Sequence, residues 1–225
     1  MADRDSSRQF VFPRWSNLLL PALIAGAVFT PPYLFVLVGF GANPNTTDVG
    51  YQPIQPVAFS HAVHAGQLGI DCRYCHTTVE KAAFAAVPPT QTCMNCHHSV
   101  QRDSEKLIAV RESYSTGMPI PWVKVHDLPD YVYFNHAAHL SAGVSCVECH
   151  DRVDRMDEVR QVHSLSMAWC LDCHRTPADR LRPRSQLTNL AWAGPTDDAQ
   201  RDQIKQLQSR LPTERQMTDC STCHR

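Results

Sequence analysis

The 225-residue sequence has no excess of charge of one sign and no cysteine outside one repeated motif. Its 21 Lys and Arg balance 22 Asp and Glu, which gives a net charge of -1. We therefore expect no nucleic-acid partner, because such partners select strongly basic surfaces. All 10 cysteines fall in Cys-x-x-Cys-His units. The units lie at 72–76, 93–97, 146–150, 170–174 and 220–224.

Two thiols at this spacing form thioethers with one haem, and the histidine that follows binds its iron. The sequence therefore predicts five covalently bound haem c groups. The predicted attachment residues are Cys72, Cys75, Cys93, Cys96, Cys146, Cys149, Cys170, Cys173, Cys220 and Cys223. The predicted proximal iron ligands are His76, His97, His150, His174 and His224.

Three other uses of paired cysteines explain the motifs less well. A structural zinc ion needs four ligands, so Cys-x-x-Cys units would come in twos, and five units do not pair off. A disulfide framework gives no reason for a histidine after every second cysteine. A thioredoxin-like redox site needs one such motif rather than five.

Near the amino terminus, Leu18 to Phe40 contain no charged side chain. As a helix this stretch is long enough to cross the hydrocarbon core of a bilayer. We predict a transmembrane anchor at 17–40. A cleavable signal peptide is the alternative, but the apolar stretch is longer than the apolar region of a cleaved signal.

The distribution of positive charge predicts the orientation of the anchor. Arg4, Arg8 and Arg14 precede it, and no Lys or Arg follows it until Arg73. Positive residues concentrate on the cytoplasmic side of membrane helices. We therefore expect residues 1–16 to be cytoplasmic, with a single pass through the bacterial cytoplasmic membrane and a periplasmic haem region.

The rest of the chain contains an internal duplication. After a linker predicted at 41–58, FSHAVH at 59–64 is echoed by FNHAAH at 134–139, and further haem motifs follow each copy. We expect a two-haem module at 59–133 and a three-haem module at 134–225. The fold should be mainly α-helical with large irregular content and little sheet, because haem faces must supply most of the core.

The pattern Phe-x-His-x-x-His shortly before a haem motif resembles the class III cytochromes c, the c3 and c7 multihaem proteins. In that family the first histidine is the distal ligand of the next haem and the second is the distal ligand of a later haem. The resemblance implies these pairs: His61 with His76, His64 with His97, His136 with His150, and His139 with His174.

For the fifth haem, the c7-like pattern implies a distal ligand just upstream of the fourth motif. Met167 occupies this place. A thioether ligand would raise the potential of that haem, because sulfur favours ferrous iron. Met156, His163 and His98 remain alternatives, and His126 has no assigned role.

The anchor, the five motifs and the stretches VPPTQTCMNCH, WVKVHDLPDYVYFNH and LSMAWCLDCHRTP resemble the pentahaem subunits of bacterial alternative complex III. This resemblance implies an electron relay in a quinol-oxidising membrane complex of a respiratory or photosynthetic chain. The implied partners are an iron-sulfur subunit related to molybdopterin enzymes, polytopic quinol-binding subunits and a monohaem cytochrome c. A soluble cytochrome c or a blue copper protein would accept the electrons.

Other functions use the same motifs. The chain could be a free-standing quinol dehydrogenase like the anchored tetrahaem NapC and NrfH group, or a multihaem reductase with an open haem. A store of electrons is a third possibility. The sequence has enough histidine and methionine outside the motifs to fill five distal positions. We therefore expect an electron relay that is not catalytic by itself, and we assign no catalytic residue.

Overall fold

A computed structural model describes residues 12–224 of the chain. Its α-helices are α1 (Leu19–Val36), α2 (Pro44–Thr47), α3 (Cys72–Cys75), α4 (Thr90–His97), α5 (Ile108–Thr116), α6 (His136–Ala142), α7 (Val147–His150), α8 (Met167–Arg175), α9 (Asp198–Ser209), α10 (Glu214–Met217) and α11 (Cys220–Cys223). Within 12–224 there is no β-strand, and one isolated antiparallel bridge joins Val144 to Leu181. The predicted helical fold with large irregular content is confirmed.

The chain divides into two compact units, Met1–Thr47 and Asp48–Arg225. In the first unit, the helical segment Arg14–Gly41 has 28 residues and is apolar and long enough to cross a membrane, and none of its most apolar stretch is buried. A membrane anchor and a signal sequence both fit this segment. The first 11 residues, which include Arg4 and Arg8, lie outside the described residues.

The predicted linker at 41–58 is shared between the two units. Its later part is hydrogen-bonded to the body of the second unit. Gly50 N donates to the carbonyl of Gln161 at 2.7 Å, and Gln161 N donates to the carbonyl of Tyr51 at 3.0 Å. These two bonds fix the point at which the chain enters the second unit.

Within the second unit, the first repeat packs directly on the second. The π-helical turn Ala62–Gln67 lies against the 3-10 turn Val153–Arg155. Ala62 N donates to the carbonyl of Met156 at 3.0 Å. A Cβ atom on Gly66 would collide with the carbonyl oxygen of Asp154. Because the backbones approach so closely, the two repeats belong to one packed body.

The buried apolar side chains are few. Among the described residues they are Val57, Val79, Val110, Leu140, Met156, Leu181, Leu187, Leu190 and Leu207. Val79, Leu140 and Leu187 form one cluster, and Ala85 packs against it. A soluble unit of this length normally buries a larger apolar core. The small core agrees with the expectation that haem faces supply apolar surface here.

Replacing Gly66 with Ala should lower the free energy of unfolding of the holoprotein by about 1–3 kcal/mol, since the added methyl group must displace backbone rather than a flexible side chain. Denaturant titration followed by haem absorbance measures the change. Gly39→Ala is the matched control, because nothing lies within 4 Å of its added Cβ. Equal stability of Gly66→Ala and the unchanged protein would contradict the close contact.

Candidate functional site

Each haem motif forms a helical turn. In the first, third and fifth motifs the histidine N–H donates to the carbonyl of the first cysteine at 2.9 Å. The second and fourth motifs lie within α4 and α8. The side chains of Asp71, Ser166 and Asp219 cap the turns of the first, fourth and fifth motifs by accepting backbone N–H groups. The short helical turn of each motif therefore places its two thiols and its imidazole close to one another.

The cysteines carry no competing bond. All ten are free, so the disulfide alternative finds no support. Among residues 12–224, no group of three or more His, Cys, Asp or Glu side chains is arranged to hold a metal ion directly. A structural zinc site would require such a group. A c-type haem needs only two thiols and one or two axial ligands from the chain.

Most of the predicted ligand histidines have the same hydrogen bond. In seven of the nine, Nδ1 lies 2.7–3.1 Å from a backbone carbonyl oxygen. Because a carbonyl only accepts, Nδ1 carries the proton and Nε2 is free to bind a metal. The seven are His64, His76, His97, His136, His139, His174 and His224.

The two repeats hold their predicted distal histidines in the same way. In the first repeat, the ring of Phe59 is edge-on to His61, at 4.8 Å and 88°, and stacked on His64, at 4.4 Å and 26°. In the second repeat, Phe134 contacts its two histidines at 4.7 Å and 87° and at 4.5 Å and 30°. The duplication read from the sequence is thus also a duplication of geometry.

Three of the predicted ligand pairs have rings at the separation expected for two ligands of one iron. Two imidazoles that bind one metal ion from opposite sides, through bonds of about 2 Å each, have ring centroids about 6 Å apart. The observed separations of 6.1, 6.1 and 6.4 Å match this value. The pairs are His64 with His97, His139 with His174, and His136 with His150. These residues fit a haem iron with two imidazole ligands.

The first histidine of the first repeat is partly buried. Burial lowers the pKa of His61 to about 4, and the nearby His76 and His64 contribute to the lowering. The buried Nδ1 of His61 has no hydrogen-bond partner. A neutral imidazole is the form that binds iron. His61 and His76 therefore remain suited to the roles that the sequence resemblance implies.

His126 is a site residue that the sequence left unassigned. Its ring lies 4.5 Å from that of His150, at 82°, and its buried Nε2 has no hydrogen-bond partner. That separation is too short for two imidazoles with an iron between them, whereas His136 is at ligand distance from His150. Burial lowers the pKa of His150 to about 3. The irregular stretch around His126 gave no periodicity from which this contact could be predicted.

The fifth motif has no comparable imidazole partner among the described ring contacts. His224 Nδ1 donates to the carbonyl of Tyr131 at 3.1 Å. Met167 is the first residue of α8 and is 61% exposed. Met156, whose carbonyl accepts the N–H of Ala62, is 5% exposed. The ring of His163 stacks on the Trp169 indole at 5.3 Å. Met167 stays a prediction for the distal position.

Two family models match this chain. The model described as the class III cytochrome C family matches residues 41–116, and the model described as cytochrome c7 and related cytochrome c matches residues 132–225. The chain is a multihaem cytochrome c with class III and c7-like modules. This confirms the predicted fold class of the cytochrome, while the boundaries at 59–133 and 134–225 remain predictions.

One curated relative of this cytochrome is the multiheme cytochrome c subunit of menaquinone reductase from Nitratidesulfovibrio vulgaris. It is 38% identical over 105 residues, which cover 46% of this chain and 49% of the relative. The match thus spans about half the length of the relative. The similarity supports electron transfer by covalently bound haem as the role of this cytochrome.

The distances around His150 distinguish two possible ligands. His136→Ala should leave one haem five-coordinate and produce a high-spin signal in the electron paramagnetic resonance (EPR) spectrum, because it removes the imidazole at 6.4 Å. His126→Ala, which removes the ring at 4.5 Å, should leave all low-spin signals in place. The reverse pattern would assign the distal position to His126.

Proposed function

We propose that this cytochrome relays electrons through five covalently bound haem c groups in a bacterial membrane complex. The observation that carries the proposal is the set of three facing imidazole pairs at 6.1–6.4 Å. When both axial positions of an iron are filled by protein, no substrate can bind to it, and the cofactor serves electron transfer. The proposed ligands of the five irons are those named from the sequence, with Met167 as the distal ligand of the fifth.

The apolar segment Arg14–Gly41 supports a location at the membrane. In the proposed topology it is a single-pass anchor, with the amino terminus in the cytoplasm and the haem region in the periplasm. The lack of Lys and Arg between the segment and Arg73 supports this direction. Covalent haem attachment takes place on the same outer side in this proposal.

The relative supports a complex that exchanges electrons with the quinone pool, since its name places it in a menaquinone reductase. We propose partners of the kind implied by the resemblance to alternative complex III. These are an iron-sulfur subunit related to molybdopterin enzymes, polytopic quinol-binding subunits and a monohaem cytochrome c. A soluble cytochrome c or a blue copper protein would receive the electrons in the periplasm.

The same relative favours a second candidate, in which electrons flow in the opposite direction. A menaquinone reductase delivers electrons to menaquinone, so its cytochrome subunit would receive them from a periplasmic donor. The haem sites can serve either direction. The difference lies in the potentials of the haems and in the partners at the two ends of the relay.

Adding menaquinol to the anaerobic native complex should reduce its c-type haems, because the proposed relay takes electrons from a quinol-oxidising partner. Absorbance at the haem α band measures the reduction. The purified chain alone is the control and should stay oxidised; its reduction would favour a free-standing quinol dehydrogenase. In the second candidate, the haems of the complex stay oxidised when menaquinol is added. Once they have been reduced chemically, they pass electrons to added menaquinone.

Met167→Ala should lower the midpoint potential of one haem, since it removes the proposed thioether ligand. A redox titration with EPR detection measures the midpoints. Met118→Ala is the matched control, because Met118 is 67% exposed, as Met167 is at 61%. An unchanged titration in Met167→Ala would remove this residue from the ligands and favour His163 or His98.

Carbon monoxide binding to the reduced native protein would instead indicate an open haem.

A further inference from the structure

The haem motifs are joined by polar contacts that do not follow their order in the sequence. The first and second motifs are linked through their own variable residues. Asn95, within the second motif, donates from Nδ2 to the hydroxyl of Tyr74, within the first, at 3.1 Å. These two motif turns are therefore adjacent.

The first motif is also joined to the third. The hydroxyl of Thr188 donates to Asp71, which caps the turn of the first motif, at 2.8 Å. The carbonyl of the preceding Leu187 accepts a bond from the buried hydroxyl of Ser145, at 2.6 Å. It also accepts a bond from Cys146 N, at 3.4 Å, where the third motif begins. Residues 187–188 thus connect the two turns.

The first cysteines of these two motifs lie next to the bonded residues. Cys72 follows Asp71, and Cys146 donates its N–H to Leu187. Each of these cysteines is a proposed attachment point for its own haem. Residues 187–188 therefore join the start of one motif of the first module to the start of one motif of the second.

A shared arginine joins the third motif to the fourth. Arg180 lies 3.6 Å from a carboxylate oxygen of Glu148, within the third motif, and 3.4 Å from one of Asp172, within the fourth. Arg182 also binds Glu148, at 3.2 Å. The third and fourth turns are thereby held together.

The fourth motif is joined to the fifth through its proximal histidine. His174 Nδ1 donates to the carbonyl of Met217, at 2.8 Å, at the end of α10. Three residues later the fifth motif begins with Cys220. Helix α10 also packs against α8, so the fourth and fifth motif turns are close together.

We infer that the haem sites follow one another in space in the order second, first, third, fourth and fifth motif, with the link through residues 187–188 as the crossing between the modules. Each transfer along this order oxidises one site by one electron and reduces its neighbour by one. The second and fifth motifs then stand at the two ends, where partners exchange electrons with the chain. This inference rests on the proposed function.

The iron positions in the native complex, obtained by electron cryo-microscopy or anomalous diffraction, test the order. Of the distances between irons of the two modules, the one between the irons at His76 and His150 should be shortest. A shorter distance from the iron at His97 to any iron of the second module would overturn the inference. Failure of menaquinol to reduce the haems, with the order intact, would refute the proposed function alone.

Thr188→Val in the holoprotein tests the crossing separately. Loss of one hydrogen bond of about 1 kcal/mol corresponds to about fivefold faster amide hydrogen exchange at 72–76 and 145–147. The matched control is Thr116→Val, whose hydroxyl bonds within α5 to the carbonyl of Glu112, at 2.7 Å. If Thr188→Val leaves amide hydrogen exchange unchanged at both segments, Thr188 does not hold the crossing.

Discussion

The hydrogen bond from histidine Nδ1 to a backbone carbonyl is the interaction on which the rest of this cytochrome depends. It fixes the tautomer, so that Nε2 has a lone pair for iron, and it fixes the direction in which the ring points. The acceptor of His174 is 43 residues away, and that of His224 is 93 residues away. These two bonds join predicted ligands to distant parts of the chain, and they couple folding to the preparation of the predicted haem sites.

This coupling explains how a body with a small apolar core can hold a defined shape. Val79, Leu140 and Leu187 form a cluster of buried residues. Val79 N donates to the carbonyl of His76 in the first motif, and Leu187 accepts the N–H of Cys146 at the start of the third. Around it, order comes from short capped turns and from side chains bonded across the repeats. Haem attachment adds covalent links at the same turns, so the cofactor and the hydrogen bonds constrain the same segments.

The sequence was sufficient for the features that repeat locally. The motif turns and the duplicated Phe-x-His-x-x-His unit follow from spacing, because each involves a short segment with few alternatives. The family resemblance named three imidazole pairs whose rings lie 6.1–6.4 Å apart, and their role as ligands stays a prediction. His126 and Arg180 could not be predicted in this way. Their partners His150, Glu148 and Asp172 are brought to them by the packing of irregular chain, which has no periodicity to read.

The proposed crossing agrees with an asymmetry within each repeat. The second histidine of a repeat, His64 or His139, lies near the proximal histidine of the later motif of its own module, so this pairing stays inside the module. The contacts between modules involve the earlier motifs instead: Thr188 bonds to Asp71 before the first motif, and Leu187 accepts the N–H of Cys146 at the start of the third. In the proposed order the earlier motif of each module therefore lies at the junction, and the later motifs lie toward the two ends.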